Sequence, residues 1–197
     1  MKRAPRVAAV QDISGFGRCS MTVALPALSA MGAQCCPLPT AYLSAHTAFP
    51  ELGKAAFLDL TRELEQTQEH WAALGVALDA VYSGFIGSAG QIAAIRRFYE
   101  RFRGADTVVL CDPVMGDGGR PYRTYTPDMC RAMGELAALA DVITPNLTEA
   151  ALLLGEEYAD APGSETAARA WLERLSRDGR RSVVLTGLSF TGGEIGA

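Results

Sequence analysis

Thr107-Val108-Val109-Leu110-Cys111 runs straight into Asp112-Pro113-Val114-Met115-Gly116-Asp117-Gly118-Gly119, and this passage decides the fold class. The first five residues are almost wholly apolar and do not alternate, as expected for a strand buried on both faces. A carboxylate ends the run, and a second follows in a glycine-rich turn. Shorter runs of the same kind stand at 7–10, 80–83, 141–143 and 182–185, with 34–37 as a further candidate. Helical spacing fills the gaps: 19–31, ended by Gly32; 59–74, with Leu60, Leu64, Trp71 and Leu74 toward one side; 91–102; 127–139; 147–154, opened by Asn146; and 166–177. Strands alternating with helices give an α/β class, a mostly parallel sheet with helices on both faces. Residues 159–164 read as a surface loop. With no repeat, low-complexity tract or linker in the sequence, 1–197 reads as one domain.

Composition narrows the function. The chain has 197 residues and a net charge of −4, which argues against a general nucleic-acid binder or a ligand of anionic membranes. The apolar run at 7–10 is too short for a signal-peptide core and meets Gln11 and Asp12 at once. No stretch reaches the roughly 18 apolar residues of a membrane span, so a cytoplasmic protein is expected. Five cysteines without C-x-x-C spacing read as reduced, packed side chains, and two histidines make a His/Cys zinc site a poor reading.

In open α/β sheets ligands sit at the carboxyl ends of the strands. That directs attention to loops beginning at Gln11, Gly84, Asp112, Thr144 and Thr186. The first, Gln11 to Ser20, carries Gly15-x-Gly17-x-x-Ser20, close to a dinucleotide fingerprint, but the acidic residue wanted about 20 positions on is missing. A tight turn and a small-molecule site using Asp12 and Ser14 both remain open. The stretch from Pro39 to Pro50 reads as a loop, either plain surface or a wall over a polar aromatic ligand. Phe85, between Gly84 and Gly87, is a stacking platform or a core residue. Asp112 and Asp117 are either a helix cap and a turn aspartate or a pair with the chemistry for Mg²⁺, which keeps several waters and needs few protein ligands. Asn146 and Glu149 are either a helix N-cap with its capping-box partner or part of the same ligand edge.

Asp112-Pro-Val-Met-Gly-Asp117, Thr144-Pro-Asn-Leu-Thr-Glu149, Tyr82-Ser-Gly-Phe-Ile-Gly-Ser88 and Ser44-Ala-His-Thr47, in this order, resemble the pyridoxal/pyridoxamine (vitamin B6) kinases of the ribokinase-like superfamily. The resemblance covers nearly the whole chain. It implies ATP-dependent phosphorylation of the 5′-hydroxymethyl of a B6 vitamer, with ATP and Mg²⁺ as cofactors and a homodimer as an available assembly. It places Asp12 or Ser14, with Thr47, on the polar edge of the substrate ring and Phe85 on its face. It places Asp112, Asn146, Glu149 and Thr186 on the nucleotide, and Asp112, Asp117 and Glu149 around the metal. Phe85 stands where many relatives carry a stacking tyrosine. The opening Asp-x-Ser-Gly is also similar to hydroxymethylpyrimidine kinases of thiamine synthesis, and a vitamer- or nucleotide-binding remnant without turnover is a third reading.

The family's catalytic base is the aspartate of a late Gly-x-Gly-Asp motif, which residues 1–197 do not contain. The base is therefore expected beyond residue 197, and the chain reads as the N-terminal portion of a kinase domain. Gly192-Gly193 reads as a hairpin turn into another strand. A sheet left partly uncovered implies low stability or self-association.

Overall fold

The computed structural model describes residues 3–47, 49, 54–190 and 195–197. The chain divides into two compact units, with the division in sequence between Val109 and Leu110. Both are α/β with mostly parallel strands.

The first unit contains β1 (Arg6–Ser14), α1 (Met21–Ala30), β2 (Gln34–Leu43), β3 (Phe57–Asp59), α2 (Thr61–Ala73), β4 (Ala80–Ser83) and α3 (Ala89–Phe102). Its strands lie in the order β3-β2-β1-β4. β1 runs parallel to both β2 and β4, while β3 is antiparallel to β2. The apolar run Val7, Ala8, Ala9, Val10 is buried, as a central strand covered on both faces must be. α3 starts at Ser88, whose side chain accepts from the Gln91 N–H, and it buries Ile95, Phe98, Tyr99 and Phe102. Trp71 of α2 packs edge-on against Phe98 and Phe102, with centroids 6.2 and 6.4 Å away. This aromatic cluster seats α2 on α3; the flanking Arg97–Glu65 and Arg101–Glu69 pairs are exposed and add little.

β5 (Val108–Cys111) begins in the first unit and continues into the second. The second unit adds β6 (Gly116–Asp117), β7 (Arg120–Pro121), α4 (Pro127–Ala137), β8 (Val142–Ile143), α5 (Leu147–Leu154), α6 (Glu165–Ser176) and β9 (Ser182–Val183). β5, β8 and β9 are parallel neighbours in that order. Met115, Met133, Leu136, Ile143, Ala150 and Leu175 form its core. Thr126 caps α4 with Pro127 in the first turn, where a missing N–H costs nothing.

Two segments read as loops are strand. β1 continues through Gln11 to Ser14, and β2 through Pro39 to Leu43, because the two pair as far as Ser14↔Leu43 with a shift of register between Gln11 and Ile13. Pro37 and Pro39 lie where β2 is not covered by β3, which pairs only with Ala41 to Leu43, so their missing N–H groups break no ladder bond among the described residues. Residues 57–59, partly assigned to the helix at 59–74, form β3 instead. The Gly192-Gly193 turn lies outside the described residues. On either side of it, Leu188 and Gly196 exchange backbone hydrogen bonds of 3.1 and 2.7 Å in antiparallel fashion. Among the described residues no helix is long and apolar enough to cross a membrane. All five cysteines are free.

Candidate functional site

In the second unit four segments converge at the carboxyl edge of the strands. Asp112 ends β5. Its side chain is hydrogen-bonded by Thr144, whose own N–H donates to the Cys111 carbonyl at 3.3 Å. Five residues on, β6 and β7 form a minimal hairpin. Its two central residues, Gly118 and Gly119, both have positive φ, 56° and 79°, as a two-residue turn of this hand demands. The Gly119 N–H donates to the Thr148 hydroxyl at 2.9 Å, tying the hairpin to α5.

The start of α5 is a reciprocal cap. Asn146 Oδ1 accepts from the Glu149 N–H, and Glu149 Oε2 accepts from the Asn146 N–H, both at 2.9 Å. The same residues also reach outward. Asn146 Nδ2 donates to the Gly116 carbonyl at 2.9 Å, and Glu149 Oε1 accepts from the Met115 N–H at 3.2 Å. Thr186 bridges Asn146 in parallel fashion, with its N–H on the Pro145 carbonyl at 2.9 Å. Asp112, Asn146, Glu149 and Thr186 are thus gathered in one place, and the capping-box and ligand-edge readings of Asn146 and Glu149 are compatible.

The electrostatics are those of a negative site short of positive charge. Burial raises the Asp112 carboxyl to about 6, against a partial lowering by Thr144. Burial raises Glu149 to about 8; the Asp112 charge pushes the same way, while the amides of Asn146, Met115 and Gly116 pull it down. Tyr122, just after β7, is also shifted upward, first by burial and then by the charges of Glu149, Asp117 and Asp112. Its phenol therefore shares the field of all three carboxylates. Asp117 itself is exposed, with Oδ1 accepting from the Gly118 N–H at 2.8 Å.

Among the described residues no three His, Cys, Asp or Glu side chains form a group able to hold a metal by themselves. Two carboxylates do fit Mg²⁺, which is commonly bound by one or two carboxylates together with substrate phosphates. Two acids that resist ionisation so close together are what a divalent cation would relieve.

In the first unit Asp12 and Ser14 are buried at the end of β1, and the Ser14 hydroxyl donates to Asp12 Oδ2 at 2.9 Å. Thr47 is half-buried, one residue past the point where the His46 N–H donates to the Phe16 carbonyl at 3.0 Å. Among the described residues no hydrogen bond links Thr47 to Asp12 or Ser14. Phe85 is half-buried on a segment held by a polar clamp. Thr40 donates to the Phe85 carbonyl at 3.1 Å. Gln91 accepts from the Gly87 N–H at 2.8 Å and donates to the Thr40 carbonyl at 2.7 Å.

Sequence reasoning passed over Tyr122, Thr144 as a partner of Asp112, and the Thr40–Gln91 clamp. Thr144 was within reach, since it stands at the head of a quoted loop. Gln91 carries no signal, because a glutamine in a helix ordinarily faces water.

A family model described as phosphomethylpyrimidine kinase matches residues 24–195. A pyridoxal kinase PdxY of Deinococcus radiodurans is 32% identical over 192 residues, covering 92% of this chain and 62% of the relative. A provisionally assigned phosphomethylpyrimidine kinase of Bacteroides thetaiotaomicron, solved in a form with pyridoxal, is 42% identical with a TM-score of 0.87, covering 94% of this chain and 64% of that one. The pyridoxal kinase of Lactobacillus plantarum is 32% identical with a TM-score of 0.86, covering 98% and 66%. The chain thus spans slightly under two thirds of the length of these relatives. With the family model matching residues 24–195, the chain belongs to the phosphomethylpyrimidine kinase family, and its relatives join it to the pyridoxal kinase family of the ribokinase-like superfamily.

Proposed function

We propose that this chain carries the nucleotide and substrate sites of an ATP-dependent kinase that phosphorylates the 5′-hydroxymethyl of pyridoxal, pyridoxamine or pyridoxine. The observation that carries the reading is the pair Asp112 and Glu149, desolvated and electrostatically coupled at the strand ends of one unit. A structural ion pair would include a cation. Among the described residues this pair has instead the phenol of Tyr122 in its field and the backbone amides of Asn146, Met115 and Gly116 on Glu149.

On this reading Asp112 and Glu149 hold Mg²⁺ against the ATP phosphates, with Asp117 at the exposed rim. Bound Mg²⁺ offsets the negative charge that an incoming alcohol oxygen meets. Asn146 and Thr186 line the nucleotide side. Asp12 and Ser14, whose buried hydrogen bond fixes the carboxylate, face the polar edge of the pyridine ring together with Thr47. Phe85 stacks on the ring face without the hydroxyl that a tyrosine would add. Phosphoryl transfer then depends on alignment and charge neutralisation more than on covalent chemistry. The proton acceptor is assigned to none of these residues. It is proposed to belong to the part of the relatives' length that this chain does not span.

The test is a coupled assay of ATP-dependent phosphorylation, with pyridoxal and hydroxymethylpyrimidine side by side. The 197-residue chain should bind pyridoxal in calorimetry but turn it over negligibly. A fusion to the remaining C-terminal part of the Deinococcus relative should turn it over. Robust turnover by the short chain refutes the assignment of the base, and preference for the pyrimidine refutes the substrate. The pyrimidine arm matters because the matching family model is described as a phosphomethylpyrimidine kinase. Binding without turnover even in the fusion would support the non-catalytic reading.

A further inference from the structure

Gln11 is only 4% exposed, and its Nε2 has no hydrogen-bond acceptor among the described residues. Its carboxamide lies flat across Gly84: a Cβ built there would stand 2.8 Å from Oε1 and 3.0 Å from Cδ. The amide therefore sits one residue from Phe85, at the strand end where β1 and β4 run side by side. The polar side chains the candidate site draws on in this unit are engaged with one another. Ser14 donates to Asp12, Thr40 to the Phe85 carbonyl, and Gln91 joins Gly87 to Thr40.

A buried amide donor without an acceptor is costly, and a leucine of similar volume would avoid the cost. Unpaired buried groups of this kind call for a specific explanation, and substrate contact is one. We infer that Gln11 is a substrate-contacting residue, whose side-chain N–H donates to a ring-substituent oxygen of the flat heteroaromatic alcohol at Phe85, and so helps to select among such alcohols. In the present conformation Nε2 is sealed from solvent, so the contact forms as the carboxamide lifts off Gly84. Having no side chain, Gly84 is what lets the carboxamide rest there in the absence of substrate. Binding then releases the penalty of the unpaired donor, which favours substrates that offer an acceptor over analogues that lack one. The inference rests on the B6 reading above.

The experiment is calorimetric titration of the 197-residue chain and its Gln11→Leu and Gln11→Met variants with pyridoxal, 4-deoxypyridoxine and 3-deoxypyridoxine. Both variants should lose about tenfold in pyridoxal affinity, the scale of one hydrogen bond in a dry site. For the analogue lacking the contacted oxygen, the loss should shrink to less than about twofold. Neither variant should melt below the native chain, because each removes an unpaired buried donor. Undiminished pyridoxal binding by the variants would mean that the amide meets only solvent, and would overturn the inference. An equal loss on all three ligands, accompanied by a lower melting temperature, would show a packing role and overturn it as well. If the native chain binds none of the three, the B6 reading falls first and this inference with it.

Discussion

Replacing Glu149 by glutamine and following thermal melting from about pH 5 to about pH 9 exposes the cost of the buried carboxylate pair. Glu149 titrates at about 8 in the folded chain against an ordinary 4.5, and Asp112 at about 6 against 3.8. Both folded values lie above the unfolded ones. The native state thus keeps protons that the unfolded chain has released. The stability this confers is complete below the ordinary carboxylate range and is lost as pH rises through about 6 for Asp112 and about 8 for Glu149. For Glu149 alone, about 4 kcal/mol of native stability disappears between about pH 5 and about pH 9. The variant escapes that loss and keeps only the slope due to Asp112. It starts at a disadvantage of about 1–3 kcal/mol, because its NH₂ must face an amide N–H that Glu149 accepts from. At about 2–4 °C per kcal/mol for a chain of this size, the melting difference between variant and native should swing by about 10 °C in the variant's favour across the range. Scanning calorimetry without divalent ions reads it directly. Parallel curves for the two proteins would mean that Glu149 ionises normally, and the desolvated pair would be refuted.

Asn146→Ala removes the cap on the Glu149 N–H and the tie to the Gly116 carbonyl, so it should cost about 2 kcal/mol in chemical denaturation; a change below about 0.5 kcal/mol would contradict the dual role. Gly119→Ala should cost at least about 1 kcal/mol, because φ there is 79° and the new methyl would lie 2.6 Å from the Tyr158 ring. The same denaturant titration checks it. Gln91→Leu should speed hydrogen exchange at the Gly87 amide, whose acceptor it removes, while amides in β1 stay protected; unchanged exchange at Gly87 would show that the clamp does not hold the Phe85 segment.

The central strands and α5 could be read from the chain because their signals are local. The run at 107–111 needs no neighbour to look like a buried strand, and Asn146 with Glu149 announces the start of a helix that spans Leu147–Leu154 in the structure. The extensions of β1 and β2 were hidden because their warrant is each other. Gln11, Asp12 and Pro39 look like loop residues until the pairing to Ser14↔Leu43 is seen. β3 has three residues and the hairpin strands β6 and β7 two each, too few for a periodicity. In the candidate site, acids at strand ends were visible as chemistry. Tyr122 was not, because what marks it is the field of three carboxylates brought together only by the fold.

Glu149 spends one oxygen on the first turn of α5 and the other on the loop after β5. An ion arriving from solution must therefore win those oxygens from amides that already neutralise part of their charge. On the proposed reading, such a seat would suit a lodger better than a tenant, because the amides keep their claim on both oxygens. Whatever draws on those oxygens also draws on the opening turn of helix α5, so the seat and the helix end answer together.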